Sequence, residues 1–167
     1  MKVIHTKNLI VLLFILSVQI VNAQTWTEQT STITDNFYGV HFADANIGAA
    51  VGQNGAIVTT TNGGATWIAH STGVAGNLFD VFIANPLNMW AVGSVGTIVN
   101  STDGGSTWSA QTSGTTQHLY SVHFVSPTTG WVVGLNGIIL TTTDGGTTWA
   151  VQTSSTTEDL KGVFFIS

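Results

Sequence analysis

Three turns of nearly identical composition carry the side chains best suited to chemistry: Thr60-Thr61-Asn62-Gly63-Gly64-Ala65-Thr66-Trp67, Ser101-Thr102-Asp103-Gly104-Gly105-Ser106-Thr107-Trp108 and Thr142-Thr143-Asp144-Gly145-Gly146-Thr147-Thr148-Trp149. Carboxylates such as Asp103 and Asp144 act as acid–base catalysts or bind hard cations where several converge on one point. Here each lies 41 residues from the next, and Asn62 fills the same column. The expected role is therefore local. An aspartate or asparagine accepts amides of its own turn while the glycines supply left-handed backbone. On this reading Asn62, Gly63, Gly64 and Trp67, Asp103, Gly104, Gly105 and Trp108, and Asp144, Gly145, Gly146 and Trp149 form a structural repeat motif. No residue is assigned a catalytic, cofactor-binding or metal-binding role. Burying an indole removes on the order of 200 Å² from water, at most about 5 kcal/mol, against about 1 kcal/mol for a turn hydrogen bond. Trp108→Ala is thus expected to unfold the protein and Asp103→Ala only to weaken it.

Asp80 is the odd acid, because its column otherwise holds Gly39, Ser121 and Gly162. A glycosidase needs two carboxylates facing one cleft, and one acid does not supply them. His41 and His123 share a column with Phe82 and Phe164, which points to imidazoles packed between repeats. Two histidines do not furnish the three or four ligands that zinc takes. Val92-Gly93-Ser94-Val95-Gly96 has the glycines of a phosphate loop, but no helix follows to provide a dipole and an array of amides.

The elements that position these residues follow from one period. Trp26, Trp67, Trp108 and Trp149 stand 41 residues apart, as do Val40, Val81, Val122 and Val163, and the glycine columns Gly52, Gly93, Gly134 and Gly55, Gly96, Gly137. Such a period with strand-like content marks a repeat architecture. Within each copy, runs rich in Val, Ile, Phe, Trp and Thr are separated by glycine turns, so each reads as a four-stranded antiparallel meander. Tyr38, Val40 and Phe42 are expected to share one strand face. Asn54-Gly55 and Asn136-Gly137 mark hairpins that need positive φ. A meander of about this length gains stability by stacking face to face with its copies around an axis. The expected fold is all-β: a β-propeller of about three complete blades, with partial first and last units and an incomplete ring. A linear β-coil stack is the competing geometry, with coils shorter than these repeats.

Residues 1–23 read as an export signal: Lys2 and Lys7 precede the apolar run Leu9 to Val18, and Val21-Asn22-Ala23 offers a cleavage site before Gln24. Residues 24–167 form the repeat domain, which breaks off within its fourth copy, as in an amino-terminal part of a longer protein. In that domain one lysine, Lys161, faces eight acids, a formal charge of −7, and the chain has no arginine. Affinity for a phosphate backbone comes from Lys and Arg, so nucleic acid is excluded as a partner, and an anionic membrane surface likewise. Cysteine is absent, so stability has to come from burial and backbone pairing. Charged residues make up only 7%, which leaves Thr, Ser, Asn and Gly to cover the surface.

The turn motif resembles the Asp-box, or bacterial neuraminidase repeat, S/T-x-D-x-G-x-T-W. The whole unit is similar to the photosystem II stability/assembly factor-like repeat, whose G-W-A-V-G-x-x-G-T-I-L-x-T-x-D-G-G-x-T-W core stands here as Met89-Trp90-Ala91-Val92-Gly93 to Trp108 and as Gly130-Trp131-Val132-Val133-Gly134 to Trp149. The first copy departs from it at Gly48-Ala49-Ala50. The resemblance implies a multi-bladed propeller, often seven-bladed, acting as a secreted or lumenal scaffold for protein partners. Photosynthetic members bind through arginines, which this chain lacks, so their role in photosystem assembly does not carry over by residue. A sialidase also needs arginines. The expected function is an exported, non-catalytic, protein-binding scaffold without cofactors, located in the periplasm, at the cell surface or outside the cell. The alternative is a fragment of a secreted Asp-box glycoside hydrolase or carbohydrate-binding propeller.

Overall fold

The computed structural model describes residues 27–166. The expected signal, residues 1–23, and Trp26 lie outside the described residues. Three four-stranded antiparallel sheets follow one another along the chain. The first comprises β1 (Phe37–Phe42), β2 (Gly48–Gly52), β3 (Ile57–Thr60) and β4 (Ile68–His70). The second comprises β5 (Leu78–Ile83), β6 (Met89–Gly93), β7 (Ile98–Ser101) and β8 (Ser109–Gln111). The third comprises β9 (Leu119–Phe124), β10 (Gly130–Gly134), β11 (Ile139–Thr142) and β12 (Ala150–Gln152). In every sheet spatial order equals chain order, because each connection is a hairpin. The first strands gather: β5 packs against both β1 and β9. Blades joined at their innermost strands and stacked face to face form a propeller sector.

The core lies between blades. Ala49, Val51 and Ile57 of blade 1 meet Leu78, Val81, Ile83, Met89, Ala91 and Val99 of blade 2. The second interface repeats this with Trp90, Val92 and Ile98 against Leu119, Val122, Phe124, Val132 and Leu140. The same columns on blade 1 face no preceding four-stranded blade among the described residues: Val40 is 63% exposed, where Val81 and Val122 are 1% and 3% exposed. Residues 27–33 cross part of this face, where Gln29, Ser31, Phe37, Val40, Ala50, Val58 and Trp67 line a hollow of about 270 Å³.

Each inner strand begins with a bulge. The register shifts between Phe37 and Gly39, between Leu78 and Asp80, and between Leu119 and Ser121. An extra residue breaks the two-residue alternation, so Leu78 and Leu119, both 0% exposed, take the core positions. Tyr38, Phe79 and Tyr120 are the extra residues. The expected Tyr38–Val40–Phe42 face is corrected accordingly: Phe37 is the residue in the column of Leu78 and Leu119.

The second and third strands of each blade are joined by a single 3-10 turn, Gln53–Gly55, Ser94–Gly96 or Leu135–Gly137. Its middle residue is left-handed: Asn54 at φ 55°, Val95 at φ 54° and Asn136 at φ 55°. Asparagine tolerates this region and a β-branched residue does not. Val95 is exposed, so no packing is lost on replacing it. Val95→Asn should therefore raise stability by about 1 kcal/mol, readable as a higher urea midpoint at an unchanged slope.

Candidate functional site

The three motif turns share one hydrogen-bond scheme. A hydroxyl at the end of the third strand accepts the amide of the second glycine: Gly64 to Thr60 Oγ1 at 2.9 Å, Gly105 to Ser101 Oγ at 2.8 Å and Gly146 to Thr142 Oγ1 at 2.8 Å. The acid or amide four residues before each later threonine amide accepts it, from Thr66 to Asn62 Oδ1, Thr107 to Asp103 Oδ1 and Thr148 to Asp144 Oδ1, all at 2.9 Å. Thr107 and Thr148 hydroxyls donate to the second carboxylate oxygen at 2.7 Å, whereas Asn62 Nδ2 reverses that bond and donates to Thr66 Oγ1 at 2.9 Å. Asparagine thus reproduces the scheme without charge.

These donors hold Asp103 and Asp144 at a pKa of about 2, chiefly through the Thr107 and Thr148 amides. A carboxylate held below its ordinary 3.8 contributes stability above that pH, and the contribution is lost as pH falls toward the folded value. Melting temperature is thus expected to drop between about pH 4 and pH 2. In Asp103→Asn/Asp144→Asn the drop should be smaller, as followed by circular dichroism.

Motif turns are also where blades lock together. Gln111 at the end of β8 reaches the third blade, where its Oε1 accepts the Trp149 indole N–H at 3.2 Å and its Nε2 donates to the Gly145 carbonyl at 3.0 Å. Gln29 contacts Trp67 and Gly63 in the same way at 3.2 and 3.5 Å. His70 occupies the equivalent place on β4, and Trp108 instead donates to Gly105 of its own turn at 2.9 Å. The motif indoles are therefore half-buried, packed at the margin of each interface. This corrects the weight placed on Trp108: among the described residues the fully buried indole is Trp90, 1% exposed, stacked on Phe124 at 3.8 Å and bonded to Gly145.

Asp80, His41 and His123 lie on the inner strands. Inner strands of neighbouring blades do not pair, so their facing amides need acceptors. Asp80 supplies one: its Oδ2 accepts the Val122 amide at 3.0 Å and the Ser121 hydroxyl at 2.9 Å, while Oδ1 accepts the Val81 amide at 2.9 Å. Ser121 Oγ in turn accepts the Val163 amide at 3.3 Å, and His41 Nδ1 accepts that of Ile83 at 3.2 Å. Burial pushes the Asp80 carboxyl above its usual range, opposed by these donors. Burial also lowers His41 and His123, opposed in both by Asp80. The rings pack in sequence at tilted and edge-on angles, with His41–Phe82 and Phe82–His123 each at 4.6 Å and His123–Phe164 at 5.1 Å. This chemistry seals one blade against the next. Among the described residues no three His, Cys, Asp or Glu gather as a metal cluster.

What the sequence reading overlooked is the row set by the bulges. Tyr38 and Phe79 centroids are 6.1 Å apart, those of Phe79 and Tyr120 5.7 Å. Lys161 continues the column, its ammonium 3.5 Å above the Tyr120 ring centre and 2.9 Å from Asp159 Oδ2. Tyr38 is 48% exposed, and the other two rings are partly so. Their common 41-residue column was visible; their direction was not.

Residues 110–167 match the family model described as photosynthesis system II assembly factor YCF48. The matched stretch takes in the third blade and the residues that follow it. A solved structure of YCF48 bound to D1 peptide superposes with a TM-score of 0.69 at 21% identity, covering 78% of this chain and 44% of that one. YCF48 from Cyanidioschyzon merolae gives 0.63 at 23%, covering 73% and 41%. An ancestral GH74 enzyme gives 0.56 at 17%, covering 72% of this chain but 19% of the enzyme. These structures share the propeller fold, and the chain spans less than half the length of the two YCF48 structures. No curated protein matches the chain by sequence.

Proposed function

We propose that the chain is an exported, non-catalytic propeller scaffold that holds a protein partner on the mouth formed by its inner strands. One observation carries this reading. The acids and imidazoles of the inner strands hold neighbouring amides or pack against neighbouring rings, whereas the outward side of those strands presents the aromatic row of Tyr38, Phe79 and Tyr120. Rigid aromatic rings suit recognition, since they present large area at small entropy cost. Binding of a D1 peptide by the similarly folded YCF48 supports a protein partner for this chain as well. Export rests on the segment 1–23.

Expression with the native amino terminus tests both halves. The secreted product should begin at Gln24 by mass, and it should leave β-glucan and sialoside substrates intact over hours. A product retained at full length defeats the export reading. Turnover that disappears in Asp80→Asn but leaves the melting temperature unchanged defeats the non-catalytic one.

A further inference from the structure

Tyr38, Phe79 and Tyr120 lie outside both inter-blade cores, yet the bulge recurs in all three blades and aims one aromatic side chain from each in the same direction. We propose that this row binds an extended, lysine- or arginine-bearing segment of a protein partner, with cations over Tyr38 and Phe79 in the way that Lys161 lies over Tyr120. The inference rests on the scaffold reading and specifies the chemistry of its partner.

Spacing is the first argument. Alternate residues of an extended chain repeat every ~6.6–6.8 Å, close to the 6.1 and 5.7 Å between ring centres. A peptide crossing the inner strands would therefore bring side chains i and i+2 to Tyr38 and Phe79, next to the Tyr120 ring that Lys161 covers. Ring electrostatics is the second. The negative faces of aromatic rings attract cations, and the structure already contains such a pair in Lys161 over Tyr120, held from its other side by Asp159. Charge is the third. After residue 23 one lysine stands against eight acids, and one of them, Asp159, lies at the end of the row, 2.9 Å from Lys161 Nζ. Lys161 is the one basic residue among the described Lys and Arg positions. An acidic segment would meet a field of its own sign, which disfavours encounter.

The test is calorimetric titration of the expressed chain at low salt with three probes: a capped octapeptide alternating Lys and Ser, the same peptide with Glu for Lys, and a neutral β-glucan hexasaccharide. The lysine peptide should bind, weaken as salt is raised, and lose about 2–5-fold in affinity for each ring removed. Tyr38→Ala supplies the first loss and Phe79→Leu the second, while Tyr38→Phe retains affinity. Unchanged melting temperatures establish that half-exposed Tyr38 is not needed for folding. Lysine-peptide binding indifferent to Tyr38→Ala and Phe79→Leu would overturn the site in favour of diffuse net charge. Equal or tighter binding of the glutamate peptide, or no binding of any probe, overturns the cationic partner but leaves the scaffold reading standing. Binding of the hexasaccharide alone defeats both.

Discussion

Trp90→Ala should unfold at much milder denaturant than the parent protein, with a loss of about 3–5 kcal/mol. That is a large share of the roughly 5–15 kcal/mol that holds a domain of this size together. Trp90 is 1% exposed, its ring lies 3.8 Å from Phe124, and its N–H reaches the Gly145 carbonyl at 3.2 Å. Truncation therefore opens a cavity in the second inter-blade core and strips a carbonyl of one donor. Gln111 Nε2 still donates to the same oxygen at 3.0 Å, so the cost is mainly packing. Trp90→Phe, which retains most of the ring and loses the N–H, should forfeit far less. Trp108→Ala should fall between them, because Trp108 is half-exposed and bonded within its own turn. Urea melts of the three variants give the order. A Trp108 loss equal to that of Trp90 would contradict the interface account.

Gly96→Ala is the second large effect, expected at about 2–5 kcal/mol. Gly96 has φ +68°, its amide donates to the Gln117 carbonyl at 2.8 Å, and a methyl group there would overlap the backbone carbonyl oxygen of Thr115. Both the turn and the start of blade 3 would have to move. Gly114 isolates the conformational part of this cost, since it has φ +73° with nothing within 4 Å of an added methyl. Gly114→Ala should lose only about 1–2 kcal/mol. The difference between the two, measured by thermal or urea denaturation, reports how tightly the 3-10 turn is wedged against the next blade. Equal losses would mean that the backbone yields freely at Gly96.

Much of this architecture was legible in the residues. The 41-residue spacing of Trp67, Trp108 and Trp149 identified the unit, and the glycine columns placed its turns. Asn62 standing in for Asp103 and Asp144 pointed to a hydrogen-bonding role, which the shared scheme of the three turns displays. Asp80 was conspicuous as an acid in a column of small residues, but its actual partner, the Val122 amide, lies 42 residues away on a strand with no ladder contact to its own. Contacts of this kind depend on how blades are set against one another, which local pattern does not encode. Gln111 is similar: its column of Gln29, His70, Gln111 and Gln152 could be read, but not its bridge to Trp149 and Gly145.

The sequence by itself determined the repeat, the strand and turn chemistry, and the acidic, arginine-free surface, because these depend on residue type and on spacing within about 41 positions. Only the tertiary structure decided which face of each inner strand is core. A one-residue bulge reverses the alternation, and the bulge is set by the register of each inner strand against the second strand of its blade, which period-two patterning does not encode. That reversal buries Leu78 and Leu119 and turns Tyr38, Phe79 and Tyr120 outward, where they are available to another molecule.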